Sequence, residues 1–265
     1  MGLVSLLAAL ALALSAAMAL AWAIVRQPGR SGWTDVSWSY AVGFAGVVGA
    51  LAPVGGGVDL RRWLVALLVG IWSLRLGTHI LQRTLKGGDD PRYAELKREW
   101  GDNFSRRLLW FLQIQAAAGF LLILSIVVAA RNPASFPAWS DWAGLSIMVL
   151  ATVGETIADR QLRSFAARAQ DRQAVADRGL WGWSRHPNYF FEWLGWFAYA
   201  LIAIGPDGRF AWGCLALSGP AFIYWLLVHV SGIPPTEAHM LRSRGEKFRD
   251  YQRRVNAFFL WPGRR

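Results

Sequence analysis

The chain has 265 residues, 54% of them hydrophobic and only 17% charged, with 16 tryptophans and one cysteine, Cys214. A soluble domain carries about 25% charged residues, so this balance excludes an ordinary soluble globule. A single cysteine excludes an internal disulfide and a cysteine-based metal site. The formal charge of +11 is grouped in alternate loops between apolar runs, which is a membrane-topology pattern and not a nucleic-acid footprint.

Leu3–Val25 is uncharged and long enough to cross a bilayer. No lysine or arginine precedes it, so it reads as a first span and not as a signal peptide. The loop Arg26–Asp35 contains Pro28, Gly29 and Gly32 and leads to a second span, Val36–Ala52, with Asp35 as its expected N-cap. Pro53–Asp59 is a glycine-rich turn. The third span, Trp63–Leu81, carries Arg75 and His79, which fall with Trp72 and Arg83 on one helix face. In the polar segment Arg83–Arg107, Ala94–Trp100 is expected to form a short surface helix.

Leu108–Ala130 is the fourth span and Phe136–Ala158 the fifth, with Glu155 and Asp159 at its end. Arg160–Arg185 is basic and helical at first. Tyr189–Ile204 and Phe210–Val230 are the sixth and seventh spans. Ser231–Pro235 breaks the helix with glycine and two prolines. Glu237–Arg254 is expected to be one charged amphipathic helix, and Asn256–Trp261 an apolar tail that folds back on the membrane surface.

Seven spans place the termini on opposite sides of the membrane. Most of the 28 lysines and arginines lie in the loops after spans one, three and five and in the tail. The expected fold is therefore an all-α integral membrane protein of about seven transmembrane helices, N-terminus outside and C-terminus cytoplasmic. It is read as a single membrane domain over residues 1–265, with the first span and its loop at 1–31 and the remaining helical region at 32–261.

Gly179–Trp193 is the stretch richest in chemistry. Pro187 suits the first turn of a helix, which puts Asn188 and Glu192 on one face just after Arg185 and His186. Glu155, Asp159 and Arg163 end the fifth span, and Glu237 and His239 follow the seventh. Polar groups at membrane depth usually bind something, and stripes converging from several helices describe a cofactor or substrate cavity. The alternative is a set of buried ion pairs that pin helices, such as Arg75 with Glu155. The basic loops suit a phosphate-bearing ligand, because arginine forks onto phosphate, and they also attract anionic membrane lipids. There is no GxGxxG after a strand, no P-loop and no HExxH, and histidines 79, 186, 229 and 239 make no close pair. Neither a Rossmann domain nor a metal site is expected.

RHPNYFFEW from Arg185, with E-x-H from Glu237 and the terminal GEKFRDYQRRVNAFFLWP, resembles the steroid 5-alpha-reductase-like superfamily. Within it the chain, including LRLGTHILQR followed by GGDDPRYAELKREWG, resembles a bacterial branch catalogued as a domain of unknown function, over roughly Gly32 to Trp261. The same RHPxY frame occurs in isoprenylcysteine carboxyl methyltransferases. The resemblance implies a seven-helix membrane enzyme whose C-terminal helices hold NADPH from the cytoplasmic side, in the bacterial inner membrane. It matches Asn188 and Glu192 to the pair at the nicotinamide end, and Asp159 and Arg163 to positions that line the cofactor. Tyr251 and Arg254 match the C-terminal cofactor-side motif, with Arg249 on the same segment, and His239 matches the histidine after the last span. Arg185 and Tyr189 belong to the RHPxY element itself. The steroid reductases' Gln-Glu pair on span two and Tyr on span three have no counterpart here.

The expected reaction is NADPH-dependent reduction of an activated C=C bond in a lipid or steroid-like molecule that enters from the bilayer. Arg75 is expected to stabilise developing negative charge and His79 to supply the proton. Two other readings differ in class. An S-adenosylmethionine-dependent membrane methyltransferase shares the fold and the RHP motif. A non-enzymatic lipid-binding or transport protein needs a polar path through the membrane, and the outer halves of these spans are almost purely apolar.

Overall fold

The computed structural model describes residues 2–26, 31–86, 91–168, 171 and 173–262. The expected loop residues Pro28 and Gly29, residues 87–90 of the polar segment, and 169, 170 and 172 of the basic segment lie outside the described residues. The chain forms two compact units, Met1–Trp142 with Tyr199–Gly219, and Ala143–Ala198 with Pro220–Arg265.

In the first unit α1 (Leu3–Val25), α2 (Trp33–Leu51), α3 (Leu60–Leu85) and α5 (Phe104–Ala129) pack on one another, and α4 (Pro91–Trp100) precedes α5. Asp35 proves to lie inside the first turn of α2, because the helix begins at Trp33 with Gly32 at its N-cap. A carboxylate there still favours the helix through its dipole. Asp59 caps α3, accepting from Arg62 N at 3.0 Å.

Apolar helices gain little from hiding from lipid, so close backbone approach has to hold them together. The glycines of α2 allow it. A Cβ on Gly43 would lie 2.0 Å from Ser73 Oγ, and one on Gly49 2.8 Å from Val127 Cγ2. Ser73 Oγ donates to Ser39 O at 3.0 Å, and Trp38 Nε1 to Gln115 O at 2.9 Å, which adds direction to the packing. At the start of α6 (Trp139–Arg168), Asp141 meets Arg61, and the two are 2% and 1% exposed. Arg61 Nε donates to Asp141 Oδ1 at 2.8 Å and its Nη2 to Oδ2 at 2.9 Å. The remaining donors go to the carbonyls of Asn132, Ala134 and Ser135.

Among the described residues, four helical segments are long and apolar enough to cross a membrane: Leu3–Val25, Leu60–Leu85, Leu96–Ala129 and Gly213–Arg244. The expected second, fifth and sixth spans are helices too, namely α2, α6 and α7 (Pro187–Ile204), but they fall outside this set. Each carries polar residues within it: Thr34 and Asp35, Glu155 and Asp159, Asn188 and Glu192. Among the described residues no strand forms, only one isolated bridge between Ser184 and Asn256.

The second unit takes α6 from Ala143 and α7 to Ala198. It resumes at Pro220 within α8 (Ser218–Trp225) and continues through a π-helical turn Leu226–Val230, α9 (Ile233–Arg244) and α10 (Glu246–Arg254). The single helix expected over Glu237–Arg254 is two. Gly245 takes φ +55°, which only glycine adopts freely, and the chain turns there. The break expected over Ser231–Pro235 falls at Ser231 and Gly232, and Pro234 and Pro235 sit in the first turn of α9, which needs no N–H from them.

Candidate functional site

The start of α7 is held by three neighbouring segments of the second unit. The 3-10 turn Gly179–Gly182 is fixed to α6: Trp181 Nε1 donates to Ala158 O and Leu180 N to Gln161 Oε1, both at 3.0 Å. The C-terminal tail runs beside Trp183–Arg185. Arg185 N donates to Asn256 O at 2.8 Å, Ser184 Oγ to Phe258 O at 2.8 Å, and Trp261 N to Trp183 O at 3.2 Å. The apolar tail therefore docks on its own chain. Phe258 is buried and packs edge-on against Trp193 and Tyr224, ring centroids 5.5 and 5.3 Å away.

Glu237 on α9 joins these segments. It accepts from Arg185 Nε at 2.6 Å and Nη2 at 3.2 Å, lies 3.1 Å from His186 Nε2, and accepts from Gln252 Nε2 at 2.6 Å. Arg185 Nη1 donates to the carbonyls of Gln252 and Val255 at 3.2 and 2.6 Å. Charge-assisted bonds of this length are the strong ones. Tyr251 OH donates to Trp181 O at 2.6 Å, and burial pushes its phenol pKa up. The His186 ring stacks on Tyr189, centroids 5.3 Å apart.

α6 and α7 run antiparallel in close contact. A Cβ on Gly154 would lie 2.3 Å from Phe191 Cε1, and one on Gly195 3.4 Å from Ala151 Cβ. That register sets Glu155 and Asp159, both buried, at the level where α7 carries Glu192 and Asn188. Glu192 Oε1 accepts from Trp196 Nε1 at 3.0 Å. Asn188 Oδ1 is buried and has no hydrogen-bond donor among the described residues. An unmet buried acceptor costs about 1–3 kcal/mol, so its presence at the mouth of a helix needs a reason.

Of the expected cofactor set, Asp159, Asn188, Tyr189 and Glu192 thus lie on the packed α6–α7 pair. Arg163 is exposed on α6, one turn beyond Asp159, and His239 is exposed on α9. Arg249 and Arg254 are exposed on α10 and pair with Glu246 and Asp177 at 3.0 and 3.3 Å. Arg185 and Tyr251 spend their donors inside the fold, where they hold the tail and the 3-10 turn. Arg75 and His79 lie one turn apart on α3 in the first unit, half-buried, each engaged in interactions of its own. The sequence reading named Glu237 but missed its role as the shared acceptor, and it missed Gln252 altogether. Glu237 lies 52 residues from Arg185, 51 from His186 and, across the turn at Gly245, 15 from Gln252, separations that leave no periodic signal.

The second unit thus presents a helix mouth with convergent polar groups, in a helical protein with segments long enough to cross a membrane. The chain belongs to the DUF1295 family, described as proteins of unknown function, whose profile matches residues 21–255. It is similar to an uncharacterized protein of Schizosaccharomyces pombe, 25% identical over 226 residues, which is 75% of this chain and 63% of the yeast protein. The chain thus spans less than two thirds of that relative's length. No solved structure matches it significantly.

Proposed function

We propose that the protein is a membrane-embedded reductase that reduces an activated C=C bond in a lipid or steroid-like molecule with NADPH. The observation that carries this reading is Asn188, whose buried Oδ1 awaits a donor one turn from Glu192. A nicotinamide carboxamide offers such an N–H. When bound, NADPH supplies a hydride to the carbon β to a carbonyl or equivalent group. The chain's own part is to hold that ring by Asn188 and Glu192, with Asp159 alongside, and to meet phosphate charge with the exposed guanidinium groups of Arg163, Arg249 and Arg254. From the sequence, His79 and Arg75 remain the expected proton donor and stabilising cation, and turnover of His79→Ala and Arg75→Ala tests that role. The likeness of RHPNYFFEW and the C-terminal segment to the steroid 5-alpha-reductase-like superfamily supports the same reading.

In this reading α2, α6 and α7 also span the membrane, for seven spans in all, with the N-terminus outside and the basic loops in the cytoplasm. Placement in a bacterial inner membrane rests on the family resemblance, and the yeast relative speaks for a wider distribution.

Thermal unfolding of the detergent-solubilised protein with NADPH, NADH or S-adenosylmethionine at matched concentrations tests the reading, since a ligand of the folded state raises the midpoint. The expected result is a rise with NADPH that Asn188→Ala reduces, in line with an affinity about tenfold weaker. A rise with S-adenosylmethionine alone moves the protein to the methyltransferases and removes the hydride step.

A further inference from the structure

The first unit holds more buried positive charge at one end than its carboxylates balance. Arg61 is matched by Asp141. Arg62, 4% exposed, and the half-buried Arg131 are not. Arg62 Nη1 donates to Ala52 O at 2.9 Å and its Nη2 to Val54 O at 3.1 Å. Arg131 Nη1 donates to Gly49 O at 2.9 Å and Val127 O at 3.2 Å, and its Nη2 to Ala52 O at 3.3 Å. The two guanidinium groups share one carbonyl, and their hydrogen-bond acceptors among the described residues are neutral chain oxygens. Both Nε atoms are buried without an acceptor. Asp59, the acid nearest in sequence, takes the Arg62 amide and not its guanidinium.

A buried and a half-buried cation at one carbonyl are costly without an anion. Burial first, and repulsion from Arg62 second, lower the Arg131 pKa to about 10. The segment Pro53–Val58 joins α2 to α3 beside them. Gly55 and Gly56 take φ +76° and +138°, and a Cβ on Gly56 would lie 4.0 Å from Arg62 Nη2. A Cβ on Gly55 or Gly57 would meet nothing within 4 Å, so both positions are open, and Gly56 is the loop glycine that lies against Arg62. Val58, Leu60 and Trp63 stand exposed on the same stretch, an apolar rim of the kind found at a membrane interface.

We infer that Arg62 and Arg131, under the Gly55–Gly57 loop, form a binding site for a phosphate group, carried by a phospholipid headgroup or free in solution. Guanidinium forks fit phosphate oxygens two at a time, and both arginines have donors left to give. The apolar rim favours the lipid as source, because acyl chains can lie against it. The site is independent of the proposed reductase chemistry and lies wholly within the first unit.

The test uses the full chain in detergent at constant ionic strength. Inorganic phosphate, dihexanoyl-phosphatidylglycerol and dihexanoylglycerol are compared by thermal unfolding and native mass spectrometry. The expected result is a raised midpoint and one bound lipid with the phosphatidylglycerol, and neither with dihexanoylglycerol. Arg131→Gln should weaken that binding about tenfold or more. Gly57→Asp, which places a carboxylate in the open space, should raise the lipid-free midpoint and abolish the response, and it carries the test if Arg131→Gln does not fold. An equal response to inorganic phosphate keeps the phosphate site and overturns the lipid source. No response to either phosphate-bearing probe, or the same response in wild type and Gly57→Asp, overturns the site.

Discussion

Arg61 and Arg185 each fork onto a carboxylate, with closest approaches of 2.8 and 2.6 Å, and each gives its other N–H groups to chain carbonyls. The surroundings differ. Asp141 also accepts from Ala138 N at 2.8 Å, and its pair is sealed within one unit. Glu237 serves Arg185, His186 and Gln252 together, and its pair remains 12% exposed on each side. The first is a pin for the loop before α6. The second is a joint that gathers α9, α10 and the segment before α7 beside Asn188, whose Oδ1 goes unmet. The same ion pair can thus close a fold or frame a site, depending on whether its neighbours leave polar groups unsatisfied.

The sharpest way to break this comparison is to empty the sealed pair. Asp141→Asn leaves the Arg61 charge buried and unpaired, with an expected loss of about 3–5 kcal/mol in chemical unfolding. A loss under 1 kcal/mol would show that water reaches Arg61. Glu237→Gln keeps the shape but weakens the bonds to its three partners, and about 2 kcal/mol is expected from the same measurement, together with a weaker response to NADPH.

Asn188→Ala should separate site from scaffold. Stability is expected to hold, because the variant removes an unmet acceptor, while NADPH affinity falls about tenfold, roughly 1.4 kcal/mol. A drop in stability with unchanged affinity would make Asn188 a structural residue. Tyr251→Phe deletes the bond to Trp181 O and is expected to cost about 1 kcal/mol, with little effect on ligand response. Lys247→Ala breaks only the exposed pair with Asp171, 2.6 Å long, and should leave the unfolding midpoint unchanged at physiological salt.

Much of this was legible in the chain. The expected first span coincides with α1, Pro187 does open α7, and Ala94–Trp100 falls within α4. These features depend on runs of apolar residues and on the backbone limits of proline, which act over one or two turns. The break at Gly245 was not legible, because a glycine among charged residues is compatible with a continuing helix until its φ is known. Asp35 was misplaced for a related reason: Trp33 and Thr34 also accept helical geometry, so the N-cap moved back to Gly32.

By itself the sequence determined the helical, membrane-adapted character of the protein and the placing of Asn188 and Glu192 on one face of α7. Those properties follow from composition and from the 3.6-residue period. Only the tertiary structure decided that Arg185 and Tyr251 are internal fasteners, that Glu237 is their shared acceptor, and that Arg62 and Arg131 lie side by side at Ala52 O. Such pairings depend on which distant segments meet when glycines let helices close on each other, and local propensity carries no record of that choice.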